Sequence, residues 1–105
     1  MIVKLGRPGN VTKIEVDTNH FKGNYPDRCS VDVLDAPGAV VDALTWQDFQ
    51  WTEILPLTKL QADTFHCFRK ELLSLPRCTH VRLNIFPDGG ISRLRVWGHL
   101  VDVSD

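Results

Sequence analysis

The amino-acid sequence predicts a fold built mainly of antiparallel β-strands. Ten of its thirteen acidic residues are Asp, a poor helix former that favours turns and caps. Short segments of alternating apolar and polar residues are separated by clusters of Pro, Gly, Asn and Asp, a pattern typical of half-buried strands joined by turns. With 105 residues, 43% of them hydrophobic, the composition predicts one globular domain over residues 1–105.

The first third of the chain predicts three strands. Residues 1–5 are apolar enough for a strand, and Arg7-Pro8-Gly9-Asn10 is a turn sequence, so we expect a hairpin with residues 11–18 as its second arm. Residues 19–28 have neither helical nor strand periodicity and predict a loop. Residues 29–33 alternate again and predict a further strand.

The middle of the chain is less clearly patterned. Residues 39–50 favour no element, and Trp51 to Leu55 predicts a short strand ended by Pro56. Apolar residues over 60–74 recur with a spacing close to 3.6, as in an amphipathic helix, whereas residues 64–69 also alternate as a strand would. Both interpretations stay open at this level.

The last third predicts a hairpin, because residues 79–86 and 91–97 both alternate and flank the turn sequence Pro87-Asp88-Gly89-Gly90. A four-residue loop would place Phe86 opposite Ile91, Asn84 opposite Arg93, Arg82 opposite Arg95, and His80 opposite Trp97.

Charge and cysteine content exclude several classes of protein. Twelve basic and thirteen acidic residues give a net charge of -1, so neither nucleic acid nor an anionic membrane is an expected partner. The three cysteines show no CxxC spacing, and no apolar run has the length of a signal peptide or a membrane span. We therefore expect a cytoplasmic protein in a reducing compartment.

Three arginines share the polar face of the predicted C-terminal hairpin. With Arg82 opposite Arg95 and Arg93 on the diagonal, like charges would repel across the ladder, so an anion should lie between them. Two candidates stay open. One is a substrate carboxylate, which a guanidinium binds through two parallel hydrogen bonds; the other is the pair Glu15 and Asp17 on an earlier strand.

The loop at residues 19–28 is the segment richest in groups that suit a binding site, with an imidazole, cations, amides and a carboxylate within ten residues. A purely structural turn is the alternative. Asp88 either presents a carboxylate or serves only the turn around it. His66 and His80 lie apart and show no metal-ligand spacing, so the sequence contains no compact metal site.

Two long stretches resemble the signature sequences of the allantoicase family. They are VTKIEVDTNHFKGNYPDRCSV at residues 11–31 and THVRLNIFPDGGISRLRVWG at residues 79–98, and the resemblance extends from about Ile2 to Gly98. It implies a jelly-roll β-sandwich of the galactose-binding-like kind, with strands and no helix around residues 64–69. It also implies hydrolysis of the C–N bond of allantoate to give ureidoglycolate and urea in allantoin and purine degradation.

The resemblance also suggests how the substrate would be held. Allantoate carries one carboxylate and two planar ureido groups, which suit Arg and Asn, Asp or His respectively. We expect Arg82, Arg93 or Arg95 to hold the carboxylate, Asn24, Asp27 and Asn84 to orient a ureido group, and Lys22 and Arg28 to assist binding. The catalytic residues are expected to be His20, Asp27 and Asp88, with His20 or Asp88 moving the proton as urea departs.

The family pattern further implies that strands precede the segment resembling Ile2 and that a second, similar domain exists. We therefore expect an incomplete sandwich whose exposed sheet edges favour association between copies and whose activity depends on further segments. A divalent metal such as Mn²⁺ is left open as a cofactor. The alternative functions are a non-catalytic module that binds a small ligand or carbohydrate and a regulatory partner half.

Overall fold

The computed structural model describes residues 2–19, 27–42, 44–87 and 93–100. These residues form six strands and one short 3-10 helix, with no α-helix among them. The elements are β1 (Ile2–Asp17), β2 (Arg28–Leu34), the 3-10 helix (Trp46–Asp48), β3 (Thr52–Lys59), β4 (Phe65–Phe68), β5 (Arg77–Phe86) and β6 (Arg93–Leu100).

The six strands form one curled antiparallel sheet in the order β3-β2-β5-β1-β4, with β6 also paired to β1. The first part of β1 pairs with β5, whereas residues 9–17 pair with β6 and residues 14–17 also with β4. Register shifts between Lys4 and Gly9 and between Val11 and Lys13 accompany this change of partner. One strand therefore contributes to both layers, and the predicted antiparallel β-sandwich of jelly-roll type is confirmed.

The core lies between the layers and is filled from alternate positions of the strands. Ile14 and Val16 of β1 and Val31 of β2 are completely buried, and every position next to them in sequence carries a polar side chain. Burying each such side chain contributes roughly 1.5 to 3 kcal/mol. The hydrophobic core includes Val11, Ile14, Val16, Cys29, Val31, Val33, Ile54, Leu55, Leu60, Phe68, Cys78, Val81 and Leu83.

The predicted N-terminal hairpin is wrong. Residues 7–10 lie inside the continuous strand β1 and do not form a turn. Pro8 falls in the register shift between Lys4 and Gly9, where no ladder pair is formed, so its missing N–H group is tolerated.

The predicted C-terminal hairpin is also wrong, because β5 pairs with β2 and β1 whereas β6 pairs with β1. Arg82 is therefore opposite Asp32 rather than Arg95, and Arg95 is opposite Glu15. This pairing replaces two like charges with opposite charges across each ladder, which stabilises the observed arrangement.

The structure resolves the open interpretation of residues 60–74 and corrects the prediction that a strand ends at Pro56. Residues 65–68 form the strand β4, so the family-based expectation of a strand is confirmed and the helical interpretation is wrong. Strand β3 continues through Pro56 instead of ending there. It can do so because β3 is an edge strand and the register shift between Cys29 and Val31 leaves Pro56 without a ladder partner.

The cysteines differ in exposure, and this predicts a reactivity pattern. All three thiols are free; Cys29 and Cys78 are buried, and burial raises the pKa of each to about 11, whereas Cys67 is exposed on β4. At pH 8 a pKa of about 11 lowers the thiolate fraction on the order of 100-fold relative to an ordinary thiol. We expect a thiol-reactive dye to label Cys67 quickly in the native protein and to label Cys29 and Cys78 only after denaturation.

A Cys67→Ser variant provides the control, because it should remove the fast phase and leave the slow one unchanged. Rapid labelling of all three thiols in the native wild type would contradict the burial of Cys29 and Cys78.

Among the described residues, no helix has the length and apolar character needed to cross a bilayer.

Candidate functional site

The ends of four strands meet at one end of the sandwich. Asp17 at the end of β1 pairs with Arg93 at the start of β6, and Arg28 at the start of β2 pairs with Phe86 at the end of β5. The two pairs belong to different layers.

Leu60 and Gln61, the two residues that follow β3, connect these layers through hydrogen bonds. The buried Thr18 hydroxyl donates a hydrogen bond to the Gln61 carbonyl at 2.7 Å, and the Leu60 N–H donates to the Asp27 carbonyl at 2.8 Å. Because Leu60 and Gln61 are neighbours in the chain, the end of β1 and the start of β2 lie close together. We call this region, formed by Asp17, Thr18, Asp27, Arg28, Phe86 and Arg93, the motif end.

The motif end borders both sequence stretches from which a binding site was predicted. Four of the predicted site residues, His20, Lys22, Asn24 and Asp88, lie outside the described residues. The other six are described, and they fall into three groups that the strands hold apart: Asp27 with Arg28, Arg82 with Asn84, and Arg93 with Arg95.

Asp27 and Arg28 form the first group, at the motif end itself. The Arg28 Nε lies 3.4 Å from an Asp27 carboxylate oxygen, and both side chains are about half exposed. Together with Leu57, Phe86 and Pro87 they line an open hollow of about 390 Å³. Since the pair is exposed, a charged ligand can compete for either partner at little cost.

Arg82 and Asn84 form the second group, both held by Asp32. The Asp32 Oδ2 accepts hydrogen bonds from Arg82 Nε at 3.1 Å, Arg82 Nη2 at 2.6 Å and Asn84 Nδ2 at 2.8 Å. The Asn84 Nδ2 also donates to Ser30 Oγ at 3.1 Å. A carboxylate can only accept, so this network fixes the Asn84 amide with its nitrogen toward Asp32.

Two tryptophans cover this network from outside. The Arg82 guanidinium carbon lies 5.0 Å from the Trp46 ring centroid and 4.5 Å from that of Trp51, distances at which a cation is attracted to an aromatic face. The Trp51 indole N–H donates to the Trp46 carbonyl at 3.0 Å, which ties the two rings together. Arg82 is therefore paired with Asp32, covered by two aromatic rings and largely buried.

Sequence reasoning missed the roles of Asp32, Ser30 and the tryptophans. The alternation of residues 29–33 does place Ser30 and Asp32 on one face. Their partners come from β5, about 50 residues later, and the pairing of β2 with β5 cannot be read from either segment alone.

Arg93 and Arg95 form the third group, on the outer face of β6. They are opposite Asp17 and Glu15 of β1, and Trp97 is opposite Lys13. We call these six residues the charged face.

The contacts within the charged face are looser than those around Asp32. Arg95 Nη1 lies 3.9 Å from Glu15 Oε2, and Lys13 Nζ lies 3.3 Å from Glu15 Oε1 and 4.6 Å from the Trp97 ring centroid. The hypothesis that Glu15 neutralises an arginine is therefore confirmed for Arg95, whereas Arg82 has Asp32 as its partner.

The two histidines weighed as metal ligands have other contacts. His66 Nδ1 donates to the Val16 carbonyl and its Nε2 accepts from the Gln61 N–H, both at 3.0 Å, so both ring nitrogens are occupied. His80 is buried with Nδ1 2.8 Å from Thr79 Oγ1, and burial followed by the nearby Lys4 lowers its pKa. Within the described part of the chain, no three His, Cys, Asp or Glu side chains are grouped as a metal site requires.

Comparison with known proteins assigns the chain to a family. The family model described as "Allantoicase repeat" matches residues 1–101. The chain belongs to the allantoicase family. The protein named "Probable allantoicase 1" from Burkholderia mallei is 54% identical over 99 residues, which are 94% of this chain and 29% of that protein. "Probable allantoicase" from Photobacterium profundum is 50% identical over 98 residues, 93% of this chain and 30% of that protein.

Solved allantoicase structures share the fold. One described as "Structure of allantoicase" matches with a TM-score of 0.73 and 33% identity, and the crystal structure of allantoicase from Saccharomyces cerevisiae matches with a TM-score of 0.70 and 35% identity. Each match covers 93% of this chain and 26% of the allantoicase chain. The chain thus contains an allantoicase repeat and spans about 30% of the length of the curated relatives that it matches.

Proposed function

We propose that this allantoicase repeat binds allantoate at the motif end and supplies part of the site that hydrolyses it. Water would cleave a C–N bond of allantoate to give ureidoglycolate and urea, a step of allantoin and purine degradation. The names of the relatives support the substrate. The observation that carries the proposal is the convergence of Asp17, Arg28, Phe86 and Arg93, which belong to the two motif segments, at one end of the sandwich.

The carboxylate of allantoate is best assigned to Arg93 or Arg95. Both are on the exposed side of β6, and the ion pair of Arg95 with Glu15 is long. Arg82 is a weaker candidate because two of its nitrogens are hydrogen-bonded to Asp32 and its guanidinium carbon lies over the rings of Trp46 and Trp51. A guanidinium that is already paired and buried gains little from a second carboxylate.

The ureido groups need acceptors for their N–H groups and donors for their carbonyls. Asn84 offers Oδ1 as an acceptor, since its Nδ2 is occupied by Ser30 and Asp32. Asp27 and Arg28 offer an exposed carboxylate and guanidinium at the motif end. We assign Asn24 and Lys22 to binding, and His20 or Asp88 to proton transfer as urea leaves.

The decisive experiment measures allantoate binding by the purified chain, and urea and ureidoglycolate release by the chain alone and mixed with the remaining segments of a longer relative, with and without Mn²⁺. Binding by the chain and turnover in the mixture are expected, and an Arg93→Ala variant should lose on the order of 100-fold or more of that turnover because a charge-assisted, bidentate contact is removed. Arg77→Ala, which removes an exposed arginine paired with Asp35, is the matched control and should be unchanged.

Other outcomes are equally informative. Allantoate binding without turnover would favour the ligand-binding module, while activity restored only by mixing with the remaining segments of a longer relative would indicate a split site. Failure of the chain to bind allantoate would contradict the proposal.

As part of the same proposal, we place the chain in the cytoplasm, which the three free thiols support. Association of copies through the edge strands is proposed from Leu57 on β3 and Phe65 on β4, both about half exposed on strands at opposite ends of the sheet order.

A further inference from the structure

Glu15 occupies an unusual position on the charged face. Its side chain is only 9% exposed, although it belongs to an outward-facing row of β1. One carboxylate oxygen, Oε1, lies near the Lys13 ammonium. The other, Oε2, is buried and accepts no hydrogen bond within the described part of the chain.

A buried carboxylate oxygen without a donor is rare, because native structures satisfy nearly all such atoms and an exception calls for an explanation. Arg95 does not fill this role, since its Nη1 is 3.9 Å from Oε2, beyond hydrogen-bonding distance. The Arg95 side chain is 47% exposed, so it is free to turn outward without losing a buried contact. Glu15 Oε2 is therefore free to accept a hydrogen bond, and it becomes accessible when the exposed Arg95 side chain moves.

The surrounding charges define what such an acceptor would bind. Arg93 and Arg95 lie along one side of Glu15, on the neighbouring strand, and Lys13 precedes it by two residues on its own strand. A simple anion would be repelled by the Glu15 carboxylate, and an uncharged donor would make no use of the arginines. A ligand that carries N–H donors next to a carboxylate satisfies both.

We infer that Glu15 is a ligand-binding residue that accepts a ureido N–H group through Oε2 while Arg95 turns outward to join Arg93 at the ligand carboxylate. The ligand class is thus a ureido acid, a carboxylate joined by a short linker to an –NH–CO–NH₂ group. This inference rests on the proposed function and adds a binding residue and a donor–acceptor pattern to it. It gives Glu15 a second role besides neutralising Arg95.

The test uses the purified chain and two isosteric probes. N-carbamoylglycine is the smallest simple ureido acid, and 4-oxopentanoate has the same shape with both nitrogens replaced by carbon. Calorimetry should show that the wild type binds N-carbamoylglycine about tenfold or more tightly than 4-oxopentanoate, because only the first can donate to Oε2.

Glu15→Gln then separates binding from structure. Gln keeps the shape but removes the carboxylate, so this preference should disappear while the thermal midpoint changes little, because the loss of the ion pairs with Lys13 and Arg95 is offset by the removal of a buried carboxylate oxygen that has no donor. A merely structural Glu15 predicts the reverse, a lower midpoint and unchanged binding. Glu53→Gln, on the exposed edge strand β3, is the matched control and should change neither quantity.

The results test the proposed function, binding of allantoate, separately from the inference that Glu15 binds the ligand. Binding of N-carbamoylglycine without binding of allantoate would overturn the proposed function and keep the inference. Allantoate binding that is equal in wild type and Glu15→Gln would keep the function and overturn the inference. Absence of any preference between the two probes, or failure of the Gln variant to fold, would also overturn the inference.

Discussion

Replacement of Asp32 by alanine is expected to lower the free energy of unfolding by about 3 kcal/mol, because it leaves the Arg82 guanidinium largely buried without a counter-ion. The side chains of Arg82 and Asp32 are 18% and 12% exposed, and Asp32 Oδ2 accepts from Arg82 at both Nε and Nη2. The same substitution removes a hydrogen-bond acceptor from Asn84. The loss should therefore exceed that of an ordinary ion pair.

Asp35 supplies the matched control for this prediction. It also pairs with an arginine of β5, but at 3.7 Å and with side chains of Asp35 and Arg77 that are 42% and 39% exposed. Asp35→Ala should cost about 1 kcal/mol or less. Urea denaturation of both variants measures the difference, and equal losses would show that the Asp32 network is no more stabilising than a surface pair.

Substitution of Gly98 by alanine is expected to cost about 3 kcal/mol, because β1 and β6 approach too closely at this position for any side chain. A Cβ atom on Gly98 would overlap the Asn10 carbonyl oxygen and lie 2.9 Å from its carbonyl carbon. Both are backbone atoms of a central strand, so relief requires the two strands to separate. The pairing of Gly98 with Val11 beside a register shift is where this separation would begin.

Gly6 is the control for the steric argument, since a Cβ at Gly6 would have nothing within 4 Å. Gly6→Ala should leave the thermal midpoint nearly unchanged. If Gly98→Ala were equally mild, the close contact of β6 with β1 would be wrong, and with it the assignment of Arg95 to the row of Glu15.

Local features of the fold could be predicted from the sequence, whereas strand partners could not. The alternation in residues 11–18 and 79–86 indicated strands that exist. The turn sequences at residues 7–10 and 87–90 suggested hairpins, but β1 runs on through the first, and the strands that flank the second pair with other strands. Turn propensity depends on a few neighbouring residues. Strand pairing depends on contacts between distant segments, such as the pairing of one part of β1 with β5 and of another part with β6 and β4.

In the candidate site, too, local features could be predicted from the sequence, whereas contacts between distant segments could not. Residue types suited to a ureido acid were recognisable in the two motif segments, and the hypothesis that Glu15 meets an arginine is confirmed for Arg95. The environment of Arg82 was not predictable, because Asp32 and Trp46 approach it from distant parts of the chain. The burial of Glu15 Oε2 without a hydrogen-bond donor likewise results from packing that no sequence pattern specifies.

Backbone amide shifts recorded by NMR during titration with allantoate test most directly whether the motif end binds this ligand. We expect the largest changes at Asp17, Arg28, Phe86 and Arg93, with Glu15 and Arg95 next. Shifts confined to residues distant from both strand-end pairs, or none at saturating allantoate, would contradict the account.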